Sequence, residues 1–323
     1  PLADIARIEQ WTVAVGPAET PPHFNMLVVL PRDAAGPVPL IVMQNFCGNH
    51  AALPADGVTA PLTEVLWACD AQWAYPLIET VFGRYINGPP YEEILARGYG
   101  LAMFYAGDVV ADEPVGAREG LARLYGDDAT NAGAVAVWAW LYGQAYDVLA
   151  ADPRIDANRV AIWGHSRNGK AALYAASRDP RFAAVIAHQS GRGGASLSNS
   201  EEGESIAEMT EAFPWWFPAS FANAPREPAM DQHQLLALIA PRPVLLGNGA
   251  RDAWSDPHGA WQSARAATPV YELYGVQGLA QEDMSTPNLE AGLAFYTRPG
   301  LHGVTTRDWE VFLDFLDAHL KTR

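Results

Sequence analysis

Cysteine is almost missing: Cys47 and Cys69 are the only two in 323 residues. Two thiols without CxxC spacing exclude a disulfide-stapled scaffold and a cysteine-based structural zinc site. They leave one bridge between them as an open question. Positive charge is also scarce, with 21 Lys and Arg against 37 Asp and Glu and a net charge of −16. A surface of that sign repels phosphate backbones and anionic lipid, so neither nucleic acid nor a membrane is an expected partner. Long apolar runs are absent, and no stretch reaches the roughly 18 residues that a membrane-spanning helix needs. Phosphate-binding signatures are lacking as well. Residues 191–194 (GRGG) do not have the G-x-G-x-x-G spacing and no Walker A run occurs. No organic cofactor and no metal are expected. The start at Pro1 lacks the charged and apolar regions of a signal peptide, so any export leader is expected to have been removed already or never to have existed.

What is present is a large apolar fraction, 49%, against 18% charged residues, enough for a substantial buried core. Short apolar runs alternate with longer helical patterns. Strands are expected at 24–30, 38–46, 100–106, 159–164, 182–188, 242–246 and 293–296, and helices at 132–150, 168–177, 234–239, 257–266 and 306–320. Continuously apolar strands alternating with helices predict an α/β fold, a mostly parallel sheet with helices on both faces. Residues 1–323 read as one domain with loop insertions, notably 47–90 and 191–230. The second of these holds Phe213, Trp215, Trp216, Phe217 and Phe221, either a loop packed on its own aromatics or a wall facing a substrate.

The sharpest local signal is Gly164-His165-Ser166-Arg167-Asn168-Gly169-Lys170, directly after the strand RVAIWG and directly before a helix. A serine on such a turn has its hydroxyl pushed above the sheet, at a helix N-terminus that favours developing negative charge. The usual G-x-S-x-G places its second glycine two residues after the serine. Here Asn168 stands there and the glycine follows at Gly169. Ser166 is the candidate nucleophile, with a plain helix N-cap as the alternative. A nucleophile needs a base, and in this chain order the acid and then the histidine come later. Among eight histidines, His302 alone lies in a Gly-flanked loop after a late apolar run and before the final helix. The acid belongs after the strand near 242–246, where Asp252 and Asp256 compete. Asp256 precedes Pro257 and a helix, an N-cap arrangement, which favours Asp252 as the acid.

These residues resemble the glucuronoyl esterases, the fifteenth family of carbohydrate esterases. Beyond the serine heptad, the resemblance includes Asn45-Phe46-Cys47-Gly48-Asn49-His50, Phe104-Tyr105-Ala106-Gly107-Asp108 and Asp152-Pro153-Arg154-Ile155-Asp156. It continues through Ser190-Gly191-Arg192-Gly193-Gly194, Phe213-Pro214-Trp215-Trp216-Phe217, Asp231-Gln232-His233 and Ala240-Pro241-Arg242-Pro243. It ends with Asp252-Ala253-Trp254-Ser255-Asp256-Pro257 and Gly300-Leu301-His302 ahead of Asp308-Trp309. Coverage runs from about residue 25 to the C-terminus, and the combination looks like the bacterial branch.

The resemblance implies an α/β-hydrolase fold and a serine esterase that cleaves esters of glucuronic or 4-O-methylglucuronic acid, the xylan–lignin linkage, through an acyl-enzyme. It implies Ser166 as nucleophile, His302 as base, Arg167 over the oxyanion, Lys170 and Trp254 at the sugar, and Glu211 and Glu204 as further polar sugar contacts. It also implies a secreted or periplasmic enzyme, acting as a monomer on glucuronoxylan or lignin–carbohydrate esters. One position departs from the pattern. Many members keep a catalytic glutamate after the strand that follows the nucleophile helix, and Gln189 stands there. Either Asp252 supplies the acid from the later strand, or the enzyme is weakened. On the first reading, Asp252→Ala is expected to lose most turnover and Gln189→Ala little. An acetyl-xylan or other carbohydrate esterase, and a non-catalytic carbohydrate-binding relative, are the competing readings.

Overall fold

The computed structural model describes residues 2–16, 19–65, 69 and 75–321. Eight strands form one sheet: β1 (Ala6–Ala14), β2 (His23–Pro31), β3 (Val38–Gln44), β4 (Gly100–Phe104), β5 (Ile155–His165), β6 (Ala184–His188), β7 (Val244–Gly249) and β8 (Leu293–Arg298). Their order is β1-β2-β4-β3-β5-β6-β7-β8. The first two pairings are antiparallel and all later ones parallel, the mostly parallel sheet expected. β1 was not legible as a strand. Its sequence ARIEQWTVA mixes charged and apolar residues because it is a half-solvated edge strand with one partner.

Both faces of the sheet are covered. β2 turns Met26, Val28 and Leu30 to one side and Leu27 and Val29 to the other, the period of two that strands impose. Helices Ala134–Leu149, Arg167–Arg178 and Pro257–Leu273 pack on the first face, and Tyr91–Ala96 and Thr306–Leu316 on the second. On the second face Trp163 of β5 stacks on Trp309, ring centroids 5.4 Å apart. Truncating either indole would cost about 3–5 kcal/mol. Helix Pro257–Leu273 runs past its expected end, carrying Pro269 in its interior.

The connections after β5, β6, β7 and β8 all emerge at the same edge of the sheet, the rim where open α/β sheets hold their ligands. Of the two expected insertions, 191–230 contains helix Ile206–Ala212 and a short 3₁₀ turn, Ala219–Asn223. Within 47–90, residues 66–68 and 70–74 lie outside the described residues. Cys47 and Cys69 are joined in a disulfide, which closes the question their spacing left open. Among the described residues, no helix is long and apolar enough to cross a membrane.

Candidate active site

The turn between β5 and helix Arg167–Arg178 is closed by two glycines, Gly164 and Gly169, at the points where the backbone is most crowded. Ser166 sits at φ 56° and ψ −125°, a left-handed conformation that costs a side-chain-bearing residue about 1–3 kcal/mol and recurs at functional turns. Its backbone N–H is fixed by the His188 carbonyl at 2.8 Å. A Cβ on Gly164 would lie 2.1 Å from the Asn168 carbonyl oxygen, so only glycine fits there. The small-residue role expected two places after the serine falls instead on Gly169, whose Cβ would lie 3.0 Å from the Ser190 side chain. Asn168 is buried and reaches toward the Gln44 carbonyl at 3.3 Å.

His302 and Asp252 come together from loops after β8 and β7. His302 Nδ1 lies 2.7 Å from Asp252 Oδ2. That pairing leaves Nε2 as the ring nitrogen available to a hydroxyl. Asp252 is 3% exposed, and its other oxygen accepts from the backbone N–H groups of Trp254 (3.1 Å) and Ser255 (3.3 Å). Burial alone would raise its pKa, but the bonds from His302 and Ser255 outweigh that and hold the carboxyl below its ordinary range. Asp256 is the N-cap of Pro257–Leu273, accepting from Gly259 N–H at 2.8 Å, as its sequence context suggests.

Gln189, buried after β6, joins the same assembly. Its Nε2 donates to Asp252 Oδ2 at 2.8 Å and to the Leu301 carbonyl at 3.1 Å, while Oε1 accepts from Gly303 N–H at 2.9 Å. A dispensable Gln189, as the sequence reading has it, does not fit these contacts.

Arg167 forms an ion pair with Asp112, a residue that no sequence motif singles out. Its guanidinium stands 5.6 Å from the Phe46 and Phe213 ring centroids and 5.0 Å from that of Trp216. Asp112 Oδ1 accepts from both indoles of the aromatic segment, Trp215 Nε1 at 3.0 Å and Trp216 Nε1 at 2.8 Å. Arg167 Nε is buried with no hydrogen-bond partner among the described residues. The aromatic segment at 213–217 therefore packs against Arg167 and Asp112 as well as on itself.

The residues expected at the sugar divide. Trp254 is 61% exposed with its ring edge-on to His302, centroids 5.6 Å apart. Lys170 is buried, and Nζ donates to the carbonyls of Ser190 (2.8 Å) and Arg192 (2.6 Å), which leaves one N–H uncommitted. Burial pushes its pKa down to about 8, opposed by Glu204 and helped by Arg167 and Arg192. Glu204 is half-buried. Glu211 is exposed on the last turn of Ile206–Ala212, and no contact among the described residues ties it to Ser166.

Beneath the site, the Nδ1 atoms of His165 and His188 meet at 3.1 Å, so one ring donates and the other accepts. Burial lowers the pKa of both and keeps them neutral. The His165 ring lies against His302, centroids 4.6 Å apart, and supports it from below. The arrangement sets a serine on a strand-to-helix turn, a histidine paired with a carboxylate held below its ordinary pKa, and a buried guanidinium at the same rim of the sheet, residue types that acyl transfer uses.

A family model described as glucuronyl esterase, fungi, matches residues 79–275. The carbohydrate esterase MZ0003, from an unknown prokaryotic organism, is 34% identical over 339 aligned positions, covering 99% of this chain and 76% of that protein. The 4-O-methyl-glucuronoyl methylesterase 1 of Phanerochaete chrysosporium is 34% identical over 193 positions, covering 52% of this chain and 41% of the fungal enzyme. Among solved structures, a glucuronoyl esterase from Solibacter usitatus superposes with a TM-score of 0.84 at 34% identity, over 98% of this chain and 83% of that one.

Proposed function

Because this chain belongs to the glucuronoyl esterase family, we propose that it hydrolyses esters of glucuronic or 4-O-methylglucuronic acid through an acyl-enzyme on Ser166. His302 Nε2 takes the proton as Ser166 Oγ attacks the ester carbonyl, and the Nδ1 side of the imidazolium is stabilised by Asp252. The carbonyl oxygen gains negative charge only as the bond forms. It is met by the Arg167 guanidinium and the backbone amides at the helix start. Collapse breaks the C–O bond to the alcohol, which leaves with the proton from His302. A water deprotonated by the same nitrogen then attacks the acyl carbon, and the released proton returns to Ser166 as the uronic acid departs. Trp254 offers an apolar face to the sugar and Lys170 its remaining N–H.

The observation that carries the reading is the 2.7 Å contact between His302 Nδ1 and a buried, ionised Asp252, with the His302 ring 4.6 Å from that of His165, the residue before Ser166. It supports Asp252 as the acid in place of Gln189. The disulfide supports a secreted or periplasmic location, since such bonds persist in oxidising compartments. The single eight-stranded sheet supports reading residues 1–323 as one catalytic unit. The substrate is expected to be a glucuronoxylan or lignin–carbohydrate ester. The test compares turnover of benzyl glucuronate with that of an aryl acetate, using Ser166→Ala as the blank. Faster turnover of the acetate would replace the uronate reading with an acetyl esterase. Activity that survives in the blank would remove Ser166 from the mechanism.

A further inference from the structure

Gln189 has its side-chain amide fully used. One N–H goes to Asp252 Oδ2, the other to the Leu301 carbonyl, and the amide oxygen takes Gly303 N–H. Leu301 and Gly303 flank His302 in the chain. The amide therefore grips the histidine loop on both sides of the ring while holding the same carboxylate oxygen that the ring holds. The side chain is 2% exposed, and its backbone is locked at φ 50° with its N–H on the Gly247 carbonyl at 2.8 Å. Gly249 is kept small by this arrangement, because a Cβ there would lie 2.8 Å from Gln189 Nε2 and 2.7 Å from the Leu301 oxygen. The Asp and His loops are also tied to each other directly, through Arg251 N–H on the Gly300 carbonyl at 3.0 Å.

The donor pattern has only one solution. Rotating the amide by half a turn would set its oxygen against a carboxylate and a carbonyl, both acceptors, and its N–H against an N–H. A glutamate would keep the bond from Gly303 N–H but set its other oxygen against two acceptors, Asp252 Oδ2 and the Leu301 carbonyl, unless it were protonated. The geometry points to Gln189 as a positioning residue: a neutral clamp that fixes Asp252 and His302 relative to each other, and that requires an amide because Asp252 already brings the carboxylate to this spot. This rests on the esterase reading above. It makes position 189 and position 252 a linked pair, in which a carboxylate at one site calls for a neutral donor at the other.

The test uses two variants of the full chain, with circular dichroism to show that each is folded. Gln189→Met keeps the volume and removes all three bonds. It is expected to lower kcat by about tenfold to a hundredfold while KM moves by less than about threefold, the pattern of misplaced catalytic groups. Gln189→Glu is nearly isosteric. The titratable groups facing it are Asp252 and, through that carboxylate, His302. Its rate relative to the unsubstituted enzyme is expected to rise steadily as pH falls from about 8 to about 5, because only the protonated acid can donate to Asp252. A purely structural role would not produce that trend. Wild-type kcat in the methionine variant, or a glutamate variant as fast as the parent at every pH, would overturn the clamp. In the second case the introduced carboxylate would itself be serving His302. If the parent cleaves no glucuronate ester, the functional reading fails separately, and the two variants are read on whichever ester it does cleave.

Discussion

Replacing Asp252 with asparagine isolates what the buried charge does. Four donors converge on this carboxylate: His302 Nδ1 and Gln189 Nε2 on Oδ2, and the N–H groups of Trp254 and Ser255 on Oδ1. An amide has one oxygen to offer, so one pair of donors must face an NH₂ group in either orientation. The electrostatic loss is the larger effect. With charge centres about 4 Å apart and an effective dielectric of about 20, the attraction between carboxylate and imidazolium is about 4 kcal/mol. That attraction exists only while His302 holds the proton, so it belongs to the transition state and translates to about a thousandfold in turnover. The same exchange in a serine protease triad costs about 10⁴, which brackets the expectation from above. Steady-state hydrolysis of benzyl glucuronate should therefore show kcat down by about 10³ to 10⁴ with KM little changed. A loss under tenfold would refute the reasoning, because it would mean that the imidazolium is stabilised by some other group.

Three further outcomes follow from the contacts. Gly164→Ala drives a methyl into the Asn168 carbonyl and should lower the melting temperature and abolish turnover; an unchanged melting curve would contradict the packing at the elbow. Lys170 has its pKa pushed from 10.5 down to about 8, so the folded state binds fewer protons than the unfolded chain between those values. The penalty is present in full below about pH 8 and is relieved as pH rises above it, so urea midpoints of the parent should gain on those of Lys170→Met between about pH 8 and pH 9.5. A constant difference between the two proteins would show that the lysine is not desolvated. Reducing the Cys47–Cys69 bond, which spans 22 positions, should cost about 3 kcal/mol through the freed loop. Identical melts with and without dithiothreitol would show that the bridge adds no stability.

The parallel strands were legible because burial on both faces forces continuous apolar runs, and β3, β5 and β7 fall where those runs lie. The turn that carries Ser166 and the meeting of Asp252 with His302 were legible for a related reason: each sits in a loop at a strand end, where chain order and turn residues leave few alternatives. β1 and helix Pro114–Tyr125 were missed, the first for its mixed edge-strand pattern and the second for its low overall hydrophobicity. The partners of the site residues were not legible at all. Nothing near Asp112 announces that its carboxylate will meet Arg167, and a glutamine in place of an acid reads as a loss until the loops around 252 and 302 are folded against it. Hydrogen bonds between remote loops depend on backbone paths that a linear pattern does not encode. Lys170 shows the same limit, since helical spacing places it on the correct face but not in contact with the two carbonyls that occupy it.

Asp112 touches the indoles with one oxygen and the guanidinium with the other. Anyone who tries to reshape the aromatic wall beside Arg167 inherits that joint. Trimming either tryptophan removes a donor from the carboxylate that holds Arg167, so on the proposed mechanism the size of that wall and the placing of the cation cannot be adjusted one at a time. Redesign here has to exchange the wall and the cation together.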